Sequence, residues 1–526
     1  MKLLVSDPLS EEGLKILTAS GIPVDVRPGL NEDELCNIIG EYDGLIIRSG
    51  TTVTKKVIDS GKKLRVIGRA GVGVDNVDVP YATQKGILVM NTPAANIISA
   101  AEHSLAMIMS LARMIPWAHA SVHKGEWKRS KFTGIELYGK TLGIIGVGRV
   151  GGEIAKRARS FGMTMIGYDP YLPKDVADDL SVRLTTLDDV LKNSDIMTIH
   201  TPLLPETKNM ISMPQFKMMK KNALLINVAR GGIVNEDDLY EALKNKVIAG
   251  AAFDVFVDEP LKEGSKLLDL DNLITTPHLG ASTVEAQEKV SVDIAENVIM
   301  YLRENIIANA INAPRGQLDP SLAEYIPLAE RLGICIHQMN GMRPIDKIDV
   351  TCSGEIALKN TKTITLSVLI GVMKNIVGDG VNMINAESIT KSKNIKVTES
   401  KNEDSPVYSN MVTVTITSGK DTRTVRGTVF AHTPRMIGMD NYCFEIPMNT
   451  NILVARYKDL PGIIGSVGKI LGENGINIGQ MTVGRETEKG MAIMLMGVDH
   501  DIPENIIKKI SAATGFDDTR YIKIVK

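Results

Sequence analysis

Cysteine is scarce and unpaired in this sequence: Cys36, Cys335, Cys352 and Cys443 stand apart in 526 residues, with no CxxC spacing. That argues against a disulfide framework and a structural zinc site, and no metal site is expected. It fits a reducing, cytoplasmic setting. Surplus charge of either sign is also missing, since 60 Lys and Arg against 62 Asp and Glu leave −2. Nothing there would neutralise a nucleic-acid backbone or an anionic membrane surface, so neither is expected as a partner. No uncharged apolar run reaches the ~18 residues of a membrane span. The apolar start of MKLLVSDPLS dies after three residues, so no secretory leader is expected. What remains is an ordinary globular balance, 44% hydrophobic and 23% charged, in a chain too long for one core.

Short apolar runs alternate with helical patterns from Met1 to about Thr92: LLV, GLIIRS, LRVIGRAG and ILVMN. Such alternation predicts a parallel sheet covered by helices on both faces. A helix is predicted over roughly Ala95 to Ile115, and a second alternating series runs from Thr141 to about Thr276. Another helix, from about Val284 to Leu302, then brings the chain back, so the second unit reads as an insertion into the first. Beyond Pro314 the texture changes. VTVTITSG and TVRGTVF flank Lys420-Asp421 as a hairpin, while KSKNIKVTESKNED reads as a solvated loop. From Asn451 the order is β-α-β-β-α-β, a ferredoxin-like module. The expected domains are 1–95 with 286–312, 96–285, 313–449 and 450–526.

GVGRVG follows the strand TLGII and opens the helix GEIAKRARSF. Gly146 suits a sharp turn, Gly148 lets backbone approach a pyrophosphate, and Gly151 lets helix and strand pack closely. The next strand ends in Asp169, eighteen residues past Gly151. An acid there suits a ribose diol and repels a 2′-phosphate, which favours NAD over NADP. A second glycine-rich turn, GRAGVGVDN, lacks a long following helix and reads as a backbone anion site for substrate.

Arg230 before Gly231-Gly232, Glu259 after FDVFVD, and His278 after LITTP all fall at strand ends of the second unit. Ligands of open parallel sheets bind beyond those ends. Taken singly, each is an ordinary loop residue; together, behind a nucleotide fingerprint, they read as a site. His278 suits proton transfer, Glu259 would orient its imidazole, and Arg230 can grip a carboxylate with two parallel hydrogen bonds. The chemistry that fits is interconversion of a 2-hydroxy acid and a 2-oxo acid.

GVGRVG with Asp169, NVARGGIVNEDDL, FDVFVDEP and TPHLGASTVEAQ closely resemble the D-isomer-specific 2-hydroxyacid dehydrogenases. RSGTTVT, GRAGVGVDNVD and VMNTPAANIISAAEHSLAMIMSLAR are most similar to the long members acting on 3-phosphoglycerate. The fold this implies is a Rossmann-type nucleotide domain inserted into a flavodoxin-like substrate domain, followed by an α+β intervening domain and an ACT regulatory domain. The activity it implies is NAD-dependent oxidation of 3-phosphoglycerate to 3-phosphohydroxypyruvate, opening serine synthesis. Arg230, Glu259 and His278 carry over as catalytic. Arg149, Val150, Asp169, Thr201, Val228, Ala229, Asp254, Gly280 and Ala281 carry over along the cofactor. Arg48, Ser49, Arg69, Val72, Gly73 and Asn96 carry over toward substrate, with Val72 standing where the family often has Thr. Arg129 and Lys131 would reach a neighbouring subunit of a homo-oligomer, a tetramer by resemblance. Tyr457, Asp459 and Asn477 fall where the family binds the effector L-serine. Competing readings are a glyoxylate or hydroxypyruvate reductase, an NAD-sensing corepressor, and a pure amino-acid sensor.

Overall fold

The computed structural model describes residues 1–313, 319–378, 380–405, 407–486, 490–512 and 516–524. Its first sheet is five-stranded and wholly parallel, in the order Val24–Val26, Leu3–Val5, Gly44–Ile47, Val66–Arg69, Leu88–Met90. That is the 2-1-3-4-5 arrangement of flavodoxin-like folds, whose strand order reverses between Leu3–Val5 and Gly44–Ile47. The inner strands are buried on both faces, which is why they read as continuous apolar runs.

The second sheet has seven parallel strands in the order Leu273–Thr275, Gly250–Phe253, Leu224–Asn227, Ile196–Ile199, Thr141–Ile145, Thr164–Tyr168, Val182–Leu184. Numbered within its unit this is 7-6-5-4-1-2-3, the Rossmann order with one added strand, and it reverses between Thr141–Ile145 and Ile196–Ile199. The helix Val284–Glu304 returns the chain to the first sheet, burying Val290, Ile294 and Val298 in the same core as Leu3, Val5 and Leu88. The second unit is therefore inserted in the first.

The single helix predicted over Ala95–Ile115 is two helices. Ile97–Ala112 ends, Met114 adopts a left-handed φ of 53°, and Ile115–His123 departs at 62°. Pro116 explains the break, because its ring and missing N–H cannot continue the first helix past Ala112. The freed Ala112 carbonyl accepts from Ile135 N at 2.9 Å. Among the described residues, no single helix is long and apolar enough to cross a membrane.

The third sheet is mixed and six-stranded: Lys396–Asn402, Lys347–Gly354, Asn410–Ser418, Asp421–Phe430, Thr433–Met439, Tyr442–Pro447. The helices Tyr325–Met339 and Lys362–Val377 share its core. The hairpin at Lys420-Asp421 is present. The expected solvated loop at Lys391–Asp404 is not: Lys396–Asn402 pairs parallel with Lys347–Ser353 at the sheet edge. Its side chains are mostly exposed, so no alternation marks it, and their charge protects the edge from further pairing.

The last sheet runs Ile478–Arg485, Met491–Val498, Asn451–Lys458, Phe516–Ile522, with the helices Ile463–Glu473 and Glu504–Ser511. One hydrophobic cluster joins it to the third unit, since Ile452, Val454, Ile493 and Ile522 pack with Ile348, Val414 and Met436.

Candidate active site

Beyond the strand Thr141–Ile145 the chain turns at Gly146, whose φ is +87°. A Cβ there would lie 2.7 Å from the His200 carbonyl oxygen, so only glycine fits. A Cβ at Gly151 would stand 2.2 Å from the Gly146 oxygen, which makes Gly151 the close-packing position. Gly148 differs, because a Cβ there meets nothing within 4 Å. Gly148 is also the N-cap of the helix Arg149–Ala158, and no side chain caps that end. An open cradle facing uncapped N–H groups is what a pyrophosphate requires. Asp169, at the end of the next strand, accepts from Val147 N and Tyr171 N, both at 3.0 Å. It therefore sits against the glycine turn. Thr201 Oγ1 is buried without a hydrogen-bond partner beside that turn, and Val228, Gly280 and Asp254 meet further along the crevice. Val150 is half-buried on the helix, and Ala281 follows Gly280. Arg149 reaches 3.5 Å from the Pro93 oxygen in the first unit. These residues fit a dinucleotide.

His278 and Glu259 meet. Nδ1 of the imidazole donates to Glu259 Oε2 at 2.6 Å, and Phe256 N donates to Oε1 at 3.0 Å. Burial raises the Glu259 carboxyl, but these two donors outweigh it and the net shift is downward. The acid is thus ionised and holds the proton of the imidazole on Nδ1. His278 itself has a left-handed φ of 56°.

Arg230 lies across the cleft from the first unit. Its Nε is 3.7 Å from Asp75 Oδ2, and its Nη1 donates to the Ala229 oxygen at 2.7 Å. A Cβ on Gly73 would be 2.6 Å from Arg230 Nη2, so the guanidinium lies close against this backbone. Arg69 joins the group. Burial, then the charge of Arg230, pulls its pKa below the usual guanidinium value, and its Nε is buried without a partner. Two guanidinium groups held close, one with an unused donor, can take an anion. Val72 contributes its carbonyl to Asn91 Nδ2 at 2.6 Å. Arg48 and Ser49 lie where the first sheet reverses, on a loop pinned by Asp7, whose carboxylate accepts from Arg48 N at 2.6 Å and Thr51 N at 3.0 Å. Asn96 caps the helix Ile97–Ala112 without a side-chain capping bond.

Three neighbours of this site carry no signal in the sequence. Asp75 meets Arg230 from 155 positions away. His200, hydrogen-bonded to Thr198 Oγ1 at 2.7 Å, is driven by burial to a pKa of about 3 and stays neutral. His103 approaches the buried Asp254. The Asp75 and His103 pairings are tertiary, whereas His200 pairs two residues back along its own strand and falls at a strand end where chemistry could be sought.

The residues expected to bind serine do not converge within one chain. Tyr457 is 1% exposed and packs on Phe516, with ring centroids 5.7 Å apart. Asp459 pairs with Arg485 at 2.9 Å. Asn477 donates to Asp499 at 2.6 Å, at the opposite end of the sheet. Antiparallel registers put Tyr457 level with Ala492 but Ile478 level with Val498, about 20 Å apart at ~3.3 Å per residue.

Residues 105–280 match the family described as D-isomer specific 2-hydroxyacid dehydrogenase, NAD binding domain. Residues 321–440 match the D-3-phosphoglycerate dehydrogenase intervening domain, and 450–515 match the ACT domain. The chain is 43% identical to D-3-phosphoglycerate dehydrogenase of Methanocaldococcus jannaschii, over 100% of both chains. It is 39% identical to that of Bacillus subtilis, over 100% of this chain and 99% of the relative. Among solved structures, D-lactate dehydrogenase from Aquifex aeolicus complexed with NAD and lactic acid superposes with a TM-score of 0.54 at 29% identity. The superposition covers 60% of this chain and all of that one.

Proposed function

Given that the chain belongs to the D-3-phosphoglycerate dehydrogenases, a branch of the D-isomer-specific 2-hydroxyacid dehydrogenases, we propose that Arg230, Glu259 and His278 carry its chemistry. The reaction is the NAD-dependent oxidation of 3-phospho-D-glycerate to 3-phosphohydroxypyruvate, the first step of L-serine biosynthesis. NAD, held along Gly146–Gly151, Asp169 and Thr201, supplies the hydride acceptor when bound. His278 takes the 2-hydroxyl proton on Nε2, because Glu259 occupies Nδ1 at 2.6 Å. The ionised Glu259 stabilises the imidazolium that results. Arg230 grips the substrate carboxylate and fixes C2 for transfer. Arg69 and Arg48 take the phosphate, and Val72 and Gly73 offer backbone N–H groups.

The observation that carries this reading is the hydrogen-bonded His278–Glu259 pair at the strand ends of the unit that carries Arg230, whose guanidinium faces Arg69 of the first unit. An NADH-absorbance assay with phosphohydroxypyruvate, hydroxypyruvate and glyoxylate side by side tests it. The phosphorylated substrate is expected to give the highest kcat/KM by at least tenfold. Equal rates on glyoxylate would contradict the phosphate assignment.

Exposed features support a reading of assembly and regulation. Ile115, Val122, Trp127 and Tyr138 are exposed along the second helix of the bent pair and the loop after it, Trp127 by 80%. A second copy covering them makes a homo-oligomer, a tetramer by family, and brings Arg129 and Lys131 toward a neighbour's cleft. L-serine is the effector of the ACT domain. Its binding requires two chains, because Asp459 and Asn477 stand at opposite ends of one sheet. Four free thiols, two of them buried, fit the reducing cytoplasm.

A further inference from the structure

We propose that His103 is a positioning residue for proton transfer, holding the His278 loop in place through Asp254; the proposal rests on reading His278 as the acid-base group. Asp254 is fully buried at the end of the strand Gly250–Phe253. Three consecutive N–H groups end on it. His278 N donates to its backbone oxygen at 2.9 Å, Leu279 N to Oδ1 at 2.8 Å, and Gly280 N to Oδ2 at 2.8 Å. This clamp explains how His278 keeps a φ of 56°, since a left-handed non-glycine residue persists only where its surroundings over-determine it.

The clamp needs a fixed carboxylate. Thr276 Oγ1 donates to Oδ1 at 2.5 Å, from the same loop that is being held. His103 is the partner from outside: its Nε2 lies 3.1 Å from Oδ1 and 3.4 Å from Thr276 Oγ1. It stands on the helix Ile97–Ala112, which carries the chain from the first unit into the second. That helix is tied again to the second crossing by Ser99 Oγ and Thr283 Oγ1, 2.8 Å apart. The imidazole thus transmits the placement of the interdomain helix to the loop that aims His278. His103 touches neither substrate nor the reacting atoms, so its removal should reach turnover more than binding.

The test compares His103→Gln, whose amide can still donate to Asp254, with His103→Asn, one methylene too short, and His103→Ala. His278→Asn is measured alongside in the full-length protein. A hydrogen bond to a buried charge implies a fall of about ten- to hundredfold in kcat. That fall is expected in the Asn and Ala variants, with KM for phosphohydroxypyruvate and NADH affinity by fluorescence within about threefold, a margin inside the context scatter of such contributions. The Gln variant should stay near the parent rate. Gln and Asn variants alike in kcat, whether both active or both impaired, would overturn the proposal, as would a loss confined to KM. Should the Ala variant fail to fold, the Gln–Asn contrast still decides. An active His278→Asn enzyme would instead refute the acid-base reading itself.

Discussion

His278 sits in a backbone conformation that few side chains adopt, yet one carboxylate residue holds three successive N–H groups around it. Turnover therefore depends on the position of the imidazole as well as on its presence. His278→Asn should lower kcat about 10²- to 10⁴-fold, the usual range for a general acid-base group. NADH binding, followed by fluorescence, should be nearly unchanged. Arg230→Ala should raise KM and lower kcat together, because one guanidinium both binds and orients; unaltered kinetics would exclude the carboxylate clamp. Asp254 predicts a dependence on pH. Burial raises its carboxyl, but His103, Thr276 and the Leu279 N–H outweigh that and draw it below its ordinary 3.8. A lowered carboxyl stabilises the fold fully above the unfolded value of ~3.9 and loses that contribution as pH falls through the native value. The Tm gap between parent and Asp254→Asn should be constant from about pH 5 to 7 and narrow below about pH 4. A gap widening in acid would contradict the ionised assignment.

Among the elements, the turn from Gly146 to Gly151 separates packing from binding. Gly151→Ala places a Cβ 2.2 Å from the Gly146 oxygen, and overpacking of this kind costs about 1–3 kcal/mol. Tm should fall. Gly148→Ala meets no protein atom within 4 Å and should leave Tm nearly unchanged. Its methyl group enters the cradle, so the NADH Kd should rise about tenfold or more, one bond's worth of free energy. Equal melting losses in both variants would remove the distinction. Asp169→Ala should relax the preference for NAD over NADP, read as the ratio of kcat/KM. The elements that escaped sequence reading did so for identifiable reasons. Lys396–Asn402 has no inward-facing alternation because it lies exposed at an edge, and its pairing with Lys347–Ser353 is long-range. The break at Met114 carried a local cue in Pro116, but helical periodicity continues across it.

For the whole molecule, the four sheets are not four independent bodies. The ACT sheet and the third sheet share one hydrophobic cluster, and Gln338 clamps the last strand's extension: Nε2 donates to the Lys523 oxygen and Oε1 accepts from Lys523 N, each at 3.0 Å. The third unit in turn docks on the first, where Asn382 Nδ2 donates to the Gly86 oxygen at 2.8 Å and Ile384 enters that core. Removing residues 451–526 should therefore destabilise the third unit rather than release a spare module. Hydrogen exchange should show Lys347–Gly354 losing protection together with the loss of Asn451–Lys458. Unchanged protection there would mean that the shared core contributes little.

The amino-acid sequence alone determined the fold class, the two strand–helix alternations and the residues at the strand ends. Those properties follow from local periodicity and from glycine chemistry confined to a few neighbouring positions. Tertiary structure decided which of those residues meet: His278 with Glu259, Arg230 with Asp75 and Arg69, His103 with Asp254. It also decided that Asn477 lies at the opposite end of the sheet from Tyr457 and Asp459 within one chain. Those contacts join positions from 19 to more than 150 residues apart, and they are set by strand order and register, which no local spacing encodes.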